Sequence, residues 1–229
     1  MIVGSGLVAS AFSDLYADNP DVCIYAAGVS NSACTDSHEF EREKFRLQAA
    51  LTTYGDVKHF VYFGTCSVYE AQGGRSAYVI HKILMEQLVE SHPNGVVFRL
   101  PQLAGRSVNP HTLLNYLYSR ISRSEKFDLW IGAIRNIIDV QDVVHIVVEA
   151  LDDARISPRK LNIANPRSYP VTDIVSELEA IVGKPAHYYE TGYADNYTID
   201  VSDIKKYIMS ARILFDEFYL RRVLRKYFT

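Results

Sequence analysis

The sequence is poor in cysteine and tryptophan, has no long apolar run and carries no excess of positive charge. Its 229 residues include three cysteines, Cys23, Cys34 and Cys66, in no CxxC spacing. An odd, unpaired set argues against a disulfide framework or a cysteine zinc site. The seven histidines fall in no HxxxH pair, so no metal site is expected. No apolar run approaches the roughly 18 residues that span a bilayer. Met1-Ile2-Val3-Gly4-Ser5-Gly6 lacks the charged start of a secretion signal. The expectation is a cytoplasmic chain with reduced thiols and no membrane partner. Against 27 Asp and Glu stand 24 Lys and Arg, a net charge of −3, which argues against a nucleic-acid binder.

What is present is an ordinary globular balance. Apolar residues make up 48%, enough at this length to bury a core without disulfides or metals. Short apolar runs alternate with helical patterns. Ile2-Val3 reads as a clipped strand, Leu7 to Tyr16 as a helix and Asp21 to Ala26 as a strand. Glu39 to Tyr54 is helical, His59 to Phe63 a strong strand, Ala77 to Ser91 a helix and Val96 to Leu100 a strand. Such βα alternation, with strands apolar throughout, predicts a parallel sheet covered by helices. Beyond Pro101, residues 105–135 read as loop, helix (Leu113 to Ile121) and loop. Val140 to Leu151 is an apolar helix, Lys160 to Ala164 a strand, and Val171 to Val182 a helix stopped by Gly183 and Pro185. A tyrosine-rich stretch, His187 to Tyr197, precedes a tail helix from Ala211 to Phe228. Its Arg221, Arg222, Arg225 and Lys226 suit a helix C-terminus better than a phosphate site.

Three features carry chemistry. Gly4-Ser5-Gly6-Leu7-Val8-Ala9 is GxGxxA between a strand and a helix. The first Gly permits a tight turn, the second lets backbone approach a pyrophosphate, and the small third residue lets helix and strand pack closely. Helix-start N–H groups then face the phosphates. Tyr78 and Lys82 form YxxxK, on one face of a helix. An ammonium beside a phenol favours the phenolate and lowers the Tyr pKa. Such a Tyr can exchange a proton with a carbonyl or hydroxyl. Thr65 follows the strongest strand and can hydrogen-bond the same substrate oxygen. Taken singly, each has an ordinary explanation: a glycine turn, an exposed helical pair, a Thr capping a turn.

Together, and in this order, they resemble the extended branch of the short-chain dehydrogenase/reductase superfamily, the NAD-dependent epimerases, dehydratases and reductases of nucleotide sugars. GSGLVAS is similar to the family's glycine loop GSGFIGS, and YAAG (25–28) to its fourth-strand H-x-A-(A/G). FVYFGTCSVYE (60–70) resembles F-x-x-x-S-S-x-x-V-Y-G. LPQLAG (100–105) resembles R-x-x-N-x-x-G, RNIIDVQDV (135–143) resembles R-D-(F/Y)-I-x-V-x-D-(V/A), and KLNIANP (160–166) resembles Y-N-I-G-x-G.

The resemblance implies a Rossmann-like α/β fold: a parallel sheet with helices on both faces and a small C-terminal substrate-binding region. Residues 1–104 and 136–165 would form the NAD(P)-binding domain, and 105–135 with 166–229 the substrate region. It implies Tyr78 as catalytic acid/base, Lys82 as its partner and a ligand of the nicotinamide ribose, and Thr65 as the residue orienting the substrate oxygen. Gly4, Ser5, Gly6 and Leu7 would hold the pyrophosphate, with Ala26, Ala27 and Gly28 lying along the cofactor. Gln102 and Arg135 would meet the substrate, Arg135 gripping the diphosphate. The alternative for Arg135 is a surface ion pair.

Two departures shape the functional expectation. The chain runs from the first helix to YAAG in about ten residues, where the family places two more strands and a helix. A sheet shortened by two strands follows, with no residue assigned to read the adenosine ribose, so NAD and NADP both stay open. Cys66-Ser67 stands where nucleotide-sugar dehydratases carry an acidic pair, which argues against dehydration; Cys66 reads as structural. The expected function is NAD(P)H-dependent reduction of a nucleotide-linked 4-keto sugar, in surface polysaccharide biosynthesis. The alternatives are a 4-epimerase of the same family or a non-catalytic nucleotide-binding relative. The substrate partner is a nucleotide sugar, and a homodimer is open by analogy.

Overall fold

The computed structural model describes residues 1–70, 75–153, 156, 157, 159–192 and 196–229. Its frame is a five-stranded parallel sheet. Strand β1 (Ile2–Val3) leads through helix α1 (Leu7–Tyr16) to β2 (Val22–Tyr25), then α2 (Ser37–Tyr54), β3 (His59–Thr65), α3 (Ala77–Glu90) and β4 (Gly95–Leu100). Further along the chain come β5 (Gln102–Ala104), α4 (Leu113–Ser122), β6 (Phe127–Trp130), β7 (Ile134–Arg135), β8 (Ile137–Asp139), α5 (Val140–Asp152) and β9 (Lys160–Asn162). The rest is β10 (Tyr169–Pro170), α6 (Val171–Val182), β11 (Tyr188–Thr191), α7 (Lys205–Ser210) and α8 (Tyr219–Phe228). The main sheet has the order β1-β2-β3-β4-β9, every pair parallel.

Both faces of this sheet are buried. Val22 and Ile24 of β2 point into one core, with Phe12 of α1 and Val143 and Val147 of α5. Cys23 and Tyr25, their alternating neighbours, point into another with Leu47 of α2 and Met85 of α3. This two-faced burial is why β2 is apolar throughout and β3 and β4 are largely so. It also fixes handedness. The steps β1 to β2, β2 to β3 and β3 to β4 all move the same way across the sheet, yet α1 lies on one face and α2 and α3 on the other. The β1–α1–β2 unit is therefore opposite in hand to the two units that follow, although right-handed crossovers are nearly universal. In a doubly wound sheet the first helix leads outward to strands beyond β1. Here it turns back to β2, as expected of a sheet shortened on that side.

Beyond β4 a smaller body has its own core. Leu114, Leu117 and Ile121 of α4 pack with Ile174 and Leu178 of α6 and Val223 and Leu224 of α8. Three details differ from the sequence reading. The segment 105–135 holds two strands as well as a helix; β6 pairs with β11, inside the tyrosine-rich stretch. Its alternation, Phe127 and Leu129 buried with Asp128 and Trp130 exposed, is a period of two too short to stand out. The strand at Lys160 ends at Asn162. The tail helix begins at Tyr219, not Ala211, because Arg212 takes a left-handed φ of 54° that ends α7 in a turn. Three of the basic residues of the tail make ion pairs. Arg221 pairs with Glu177, Arg222 with Asp216 and Lys226 with Asp139. Among the described residues, no helix is long and apolar enough to cross a membrane.

A candidate dinucleotide and substrate cleft

At the carboxyl ends of β1 to β4 lies a cleft of about 650 Å³, within the usual range for ligand sites. The glycine loop forms one wall. Gly4 holds φ at +136°, and a Cβ there would stand 2.5 Å from the Ala26 carbonyl oxygen. Only glycine fits, so the loop can pass close under whatever it cradles. Gly6 caps α1 with no side-chain hydrogen bond to the first turn, and nothing lies within 4 Å of its Cβ position. The first N–H groups of α1 are thus left to an anion.

Thr65 and α3 supply the opposite side. Thr65 ends β3, and its hydroxyl accepts from the Ser67 N–H at 3.1 Å. That is the turn-capping role. The same side chain faces the Tyr78 phenol across the cleft wall. Ser76 starts α3 by accepting from Val79 N–H at 3.2 Å. This cap orients the helix so that Tyr78 and Lys82 both line the cleft. Behind them Glu86 continues the same four-residue stripe and holds Arg99, with Nη2 to Oε2 at 2.6 Å.

The electrostatics differ from the spacing argument in one respect. YxxxK leads one to expect a Tyr78 acidified by Lys82. Instead, burial pushes the Tyr78 phenol well above its usual value, against the opposing pull of the Thr65 hydroxyl, and nearby Glu43, Glu70 and Glu86 push the same way. The Lys82 ammonium is occupied elsewhere, 3.3 Å from Glu43 Oε1 and 4.5 Å from the centre of the Tyr62 ring.

The cleft gathers Gly4, Ser5, Gly6, Leu7, Ala26, Ala27, Gly28, Thr65, Tyr78, Lys82 and Gln102 in one lining. Arg135 is not in that lining. It sits on β7 over the Trp130 ring, 6.0 Å from its centre, and its charge reaches Tyr197, which does line the cleft. Cys66 is fully buried beside Ala164 and Ile199, and burial raises its thiol pKa.

Several residues escaped the sequence reading. Arg46 and Arg106 join Lys82 as cations of the cleft, and among the described residues no Asp or Glu lines it. Glu43, fully buried on α2, is the group that holds Lys82. Its legible signal was position: Glu43, Leu47 and Ala50 form the buried stripe of α2. Among the described residues no cluster of His, Cys, Asp and Glu could hold a metal ion.

A glycine cradle under an uncapped helix start, at the strand ends of a parallel sheet, defines a Rossmann-type nucleotide-binding protein. A cleft lined by Arg46, Lys82 and Arg106 fits a dinucleotide's phosphates. The sequence profile of the NAD dependent epimerase/dehydratase family matches residues 4–164, and the chain belongs to that family, the extended short-chain dehydrogenase/reductases, whose cofactor is NAD(P). No curated protein matches it by sequence. Among solved structures it is similar to UDP-glucuronic acid 4-epimerase from Bacillus cereus in complex with NAD and a fluorinated UDP-glucuronic acid, at 20% identity and a TM-score of 0.73, over 95% of this chain and 76% of that one. RMD from Pseudomonas aeruginosa, complexed with NADPH, matches at 18% identity and a TM-score of 0.71, over 93% and 81%. The dTDP-glucose 4,6-dehydratase from Bacillus anthracis, in complex with NAD, matches at 16% and 0.68, over 90% and 70%.

Proposed function

We propose that this chain is an NAD(P)H-dependent reductase of a nucleotide-linked 4-keto sugar. The observation that carries the reading is the state of Tyr78: a buried, protonated phenol beside Thr65, with the neighbouring Lys82 charge committed to Glu43. A reduction begins by using the phenol as an acid. Epimerisation begins with an oxidation, which needs the phenolate as base. Of the two, a Tyr held neutral suits the first.

Gly4, Ser5, Gly6 and Leu7 would hold the pyrophosphate. Ala26, Ala27 and Gly28 would flank the cofactor, and Lys82 would meet the nicotinamide ribose. When bound, the reduced nicotinamide supplies the hydride. The chain's own residues do the rest. Thr65 orients the substrate carbonyl oxygen, and Tyr78 gives that oxygen its proton as negative charge develops on it. Arg46, Arg106 and Lys82 favour anionic ligands in a cleft where no described lining residue is a carboxylate. Gln102, which lines the cleft, would meet the substrate, and Arg135, beside Tyr197, would meet the sugar diphosphate.

The test is to mix the protein with NADH or NADPH and a nucleotide-linked 4-keto-6-deoxy sugar. Stoichiometric loss of reduced-nicotinamide absorbance is the expected result. Tyr78→Phe should lower kcat by about 10²–10⁴-fold with cofactor affinity unchanged. Interconversion of two nucleotide sugars without net cofactor consumption would make the chain a 4-epimerase instead. Unchanged activity in Tyr78→Phe would remove Tyr78 from the chemistry.

A further inference from the structure

We propose that Glu43 is the positioning residue of this site: it pins the Lys82 ammonium to the Gly28 wall of the cleft and balances its charge. This rests on the reading that Lys82 serves the cofactor. Glu43 is a carboxylate in the core, and every acceptor position on it is used. Oε1 accepts from the Tyr62 hydroxyl at 2.8 Å and from Lys82 Nζ at 3.3 Å. Oε2 accepts from the Val29 N–H at 2.7 Å and meets His81 Nε2 at 2.9 Å. With four partners the carboxylate is saturated and cannot swing away without orphaning one of them.

Gly28 is cut to fit this arrangement. A Cβ on Gly28 would stand 2.8 Å from both Glu43 Oε1 and Lys82 Nζ. The glycine that resembles a cofactor-flanking residue therefore also makes room for the ion pair. Tyr62 reinforces the pair, its hydroxyl on Glu43 and its ring under Lys82. His81 is held from behind by Phe40, stacked at 4.5 Å. The titratable groups facing Glu43 are Tyr25 from β2, Tyr62 from β3, and Tyr78, His81 and Lys82 from α3; Arg46, on α2 itself, faces Tyr25. Val29, Tyr62 and Lys82 also line the cleft, and of these Lys82 is the cation, on the same helix face as Tyr78. Glu43 thus reaches the cofactor site through Lys82, without touching the reacting atoms.

The test is calorimetric titration with NADH and NADPH from mildly acidic to alkaline pH. In the wild type the Lys82 ammonium is paired with Glu43, so affinity should be flat. Glu43→Gln keeps the shape and removes the charge. Lys82 is then a cation buried without its counter-charge, a state that burial disfavours, and affinity should fall by about tenfold or more toward alkaline pH. Glu43→Asp restores the charge and should restore the flat profile. A merely structural Glu43 would give a Glu43→Gln profile parallel to wild type, and that result overturns the proposal. If Glu43→Gln fails to fold, the double variant Glu43→Gln/Lys82→Met decides. Folding of the double variant shows that the unpaired ammonium was the fault, whereas failure to fold assigns Glu43 to Tyr62 and His81 alone and overturns the proposal. A wild type that binds neither dinucleotide refutes the reductase reading, and the folding comparison of the single and double variants still judges the Glu43–Lys82 coupling.

Discussion

Replacing Glu86 by glutamine should cost more stability than almost any other isosteric change in this chain. Glu86 is fully buried, and the Arg99 guanidinium facing it is nearly so. Arg99 Nε lies 3.1 Å from both carboxylate oxygens, and Nη2 lies 2.6 Å from Oε2. The sheet is shaped for the pair, because any Cβ on Gly64 would overlap Glu86 Oε1. Glutamine fills the same volume but leaves an uncompensated guanidinium in the core. Breaking such a pair from one side costs about 3–5 kcal/mol. For a domain of this size, about 2–4 °C per kcal/mol applies, so Tm should fall by about 6–20 °C. The double variant Glu86→Leu/Arg99→Met removes both charges and should recover most of that loss, since apolar replacements of a whole buried pair are often neutral. The Tyr69 hydroxyl then loses Arg99 Nη1 but keeps Asn162 Oδ1 at 3.1 Å. Thermal unfolding followed by circular dichroism gives the numbers, and urea titration with an unchanged slope checks that the denatured state is the same. A Tm drop under about 2 °C for Glu86→Gln would refute the reasoning. So would a double variant as unstable as the two single losses combined.

Other expectations follow from the same geometry. Gly4→Ala forces a Cβ against the Ala26 carbonyl at a positive φ, so dinucleotide binding should be lost while the circular dichroism spectrum is kept; calorimetry checks it. Cys23 and Cys66 are buried and Cys34 is half-exposed, so a thiol-specific reagent should titrate one cysteine in the native protein and three after unfolding. Glu43 has to overcome burial, and does so through Lys82, His81, Val29 and Tyr62, which pull its pKa from 4.5 to about 2. A lowered folded-state pKa contributes stability that is complete above the unfolded value and is lost as pH falls from about 4.5 toward 2. Urea unfolding at stepped acidic pH should therefore decline less steeply in Glu43→Gln than in the wild type.

The sequence carried the frame of the fold because burial on both sheet faces writes itself into composition. Val22 to Tyr25, His59 to Thr65 and Gly95 to Leu100 are apolar on both alternations, and the helices between them keep one apolar stripe. Strand β1 is two residues long, and only the glycine loop after it gave it away. The positions of Thr65, Tyr78 and Lys82 were legible because local spacing sets them. Their electrostatics were not, because the deciding groups come from elsewhere in the chain. Glu43 lies 39 residues before Lys82, and although its place on the buried stripe of α2 marks it, nothing local says which cation it meets. The β6–β11 pairing joins segments some sixty residues apart, and neither strand exceeds four residues.

The reversed hand of the β1–α1–β2 unit has a consequence for engineering. The link from Ala17 to Asp21 is largely exposed, and it joins a helix that faces outward to a strand that lies inward. It is the point where the chain doubles back. A strand–helix–strand cassette inserted between Ala17 and Asp21 could add its strands outside β1, where the sheet has an open edge. The first crossover would then regain the ordinary hand, and Gly4, Thr65, Tyr78 and Lys82 would stay where they are. The link is thus a natural docking point for grafting a ribose-reading segment of chosen specificity onto an otherwise unaltered cleft.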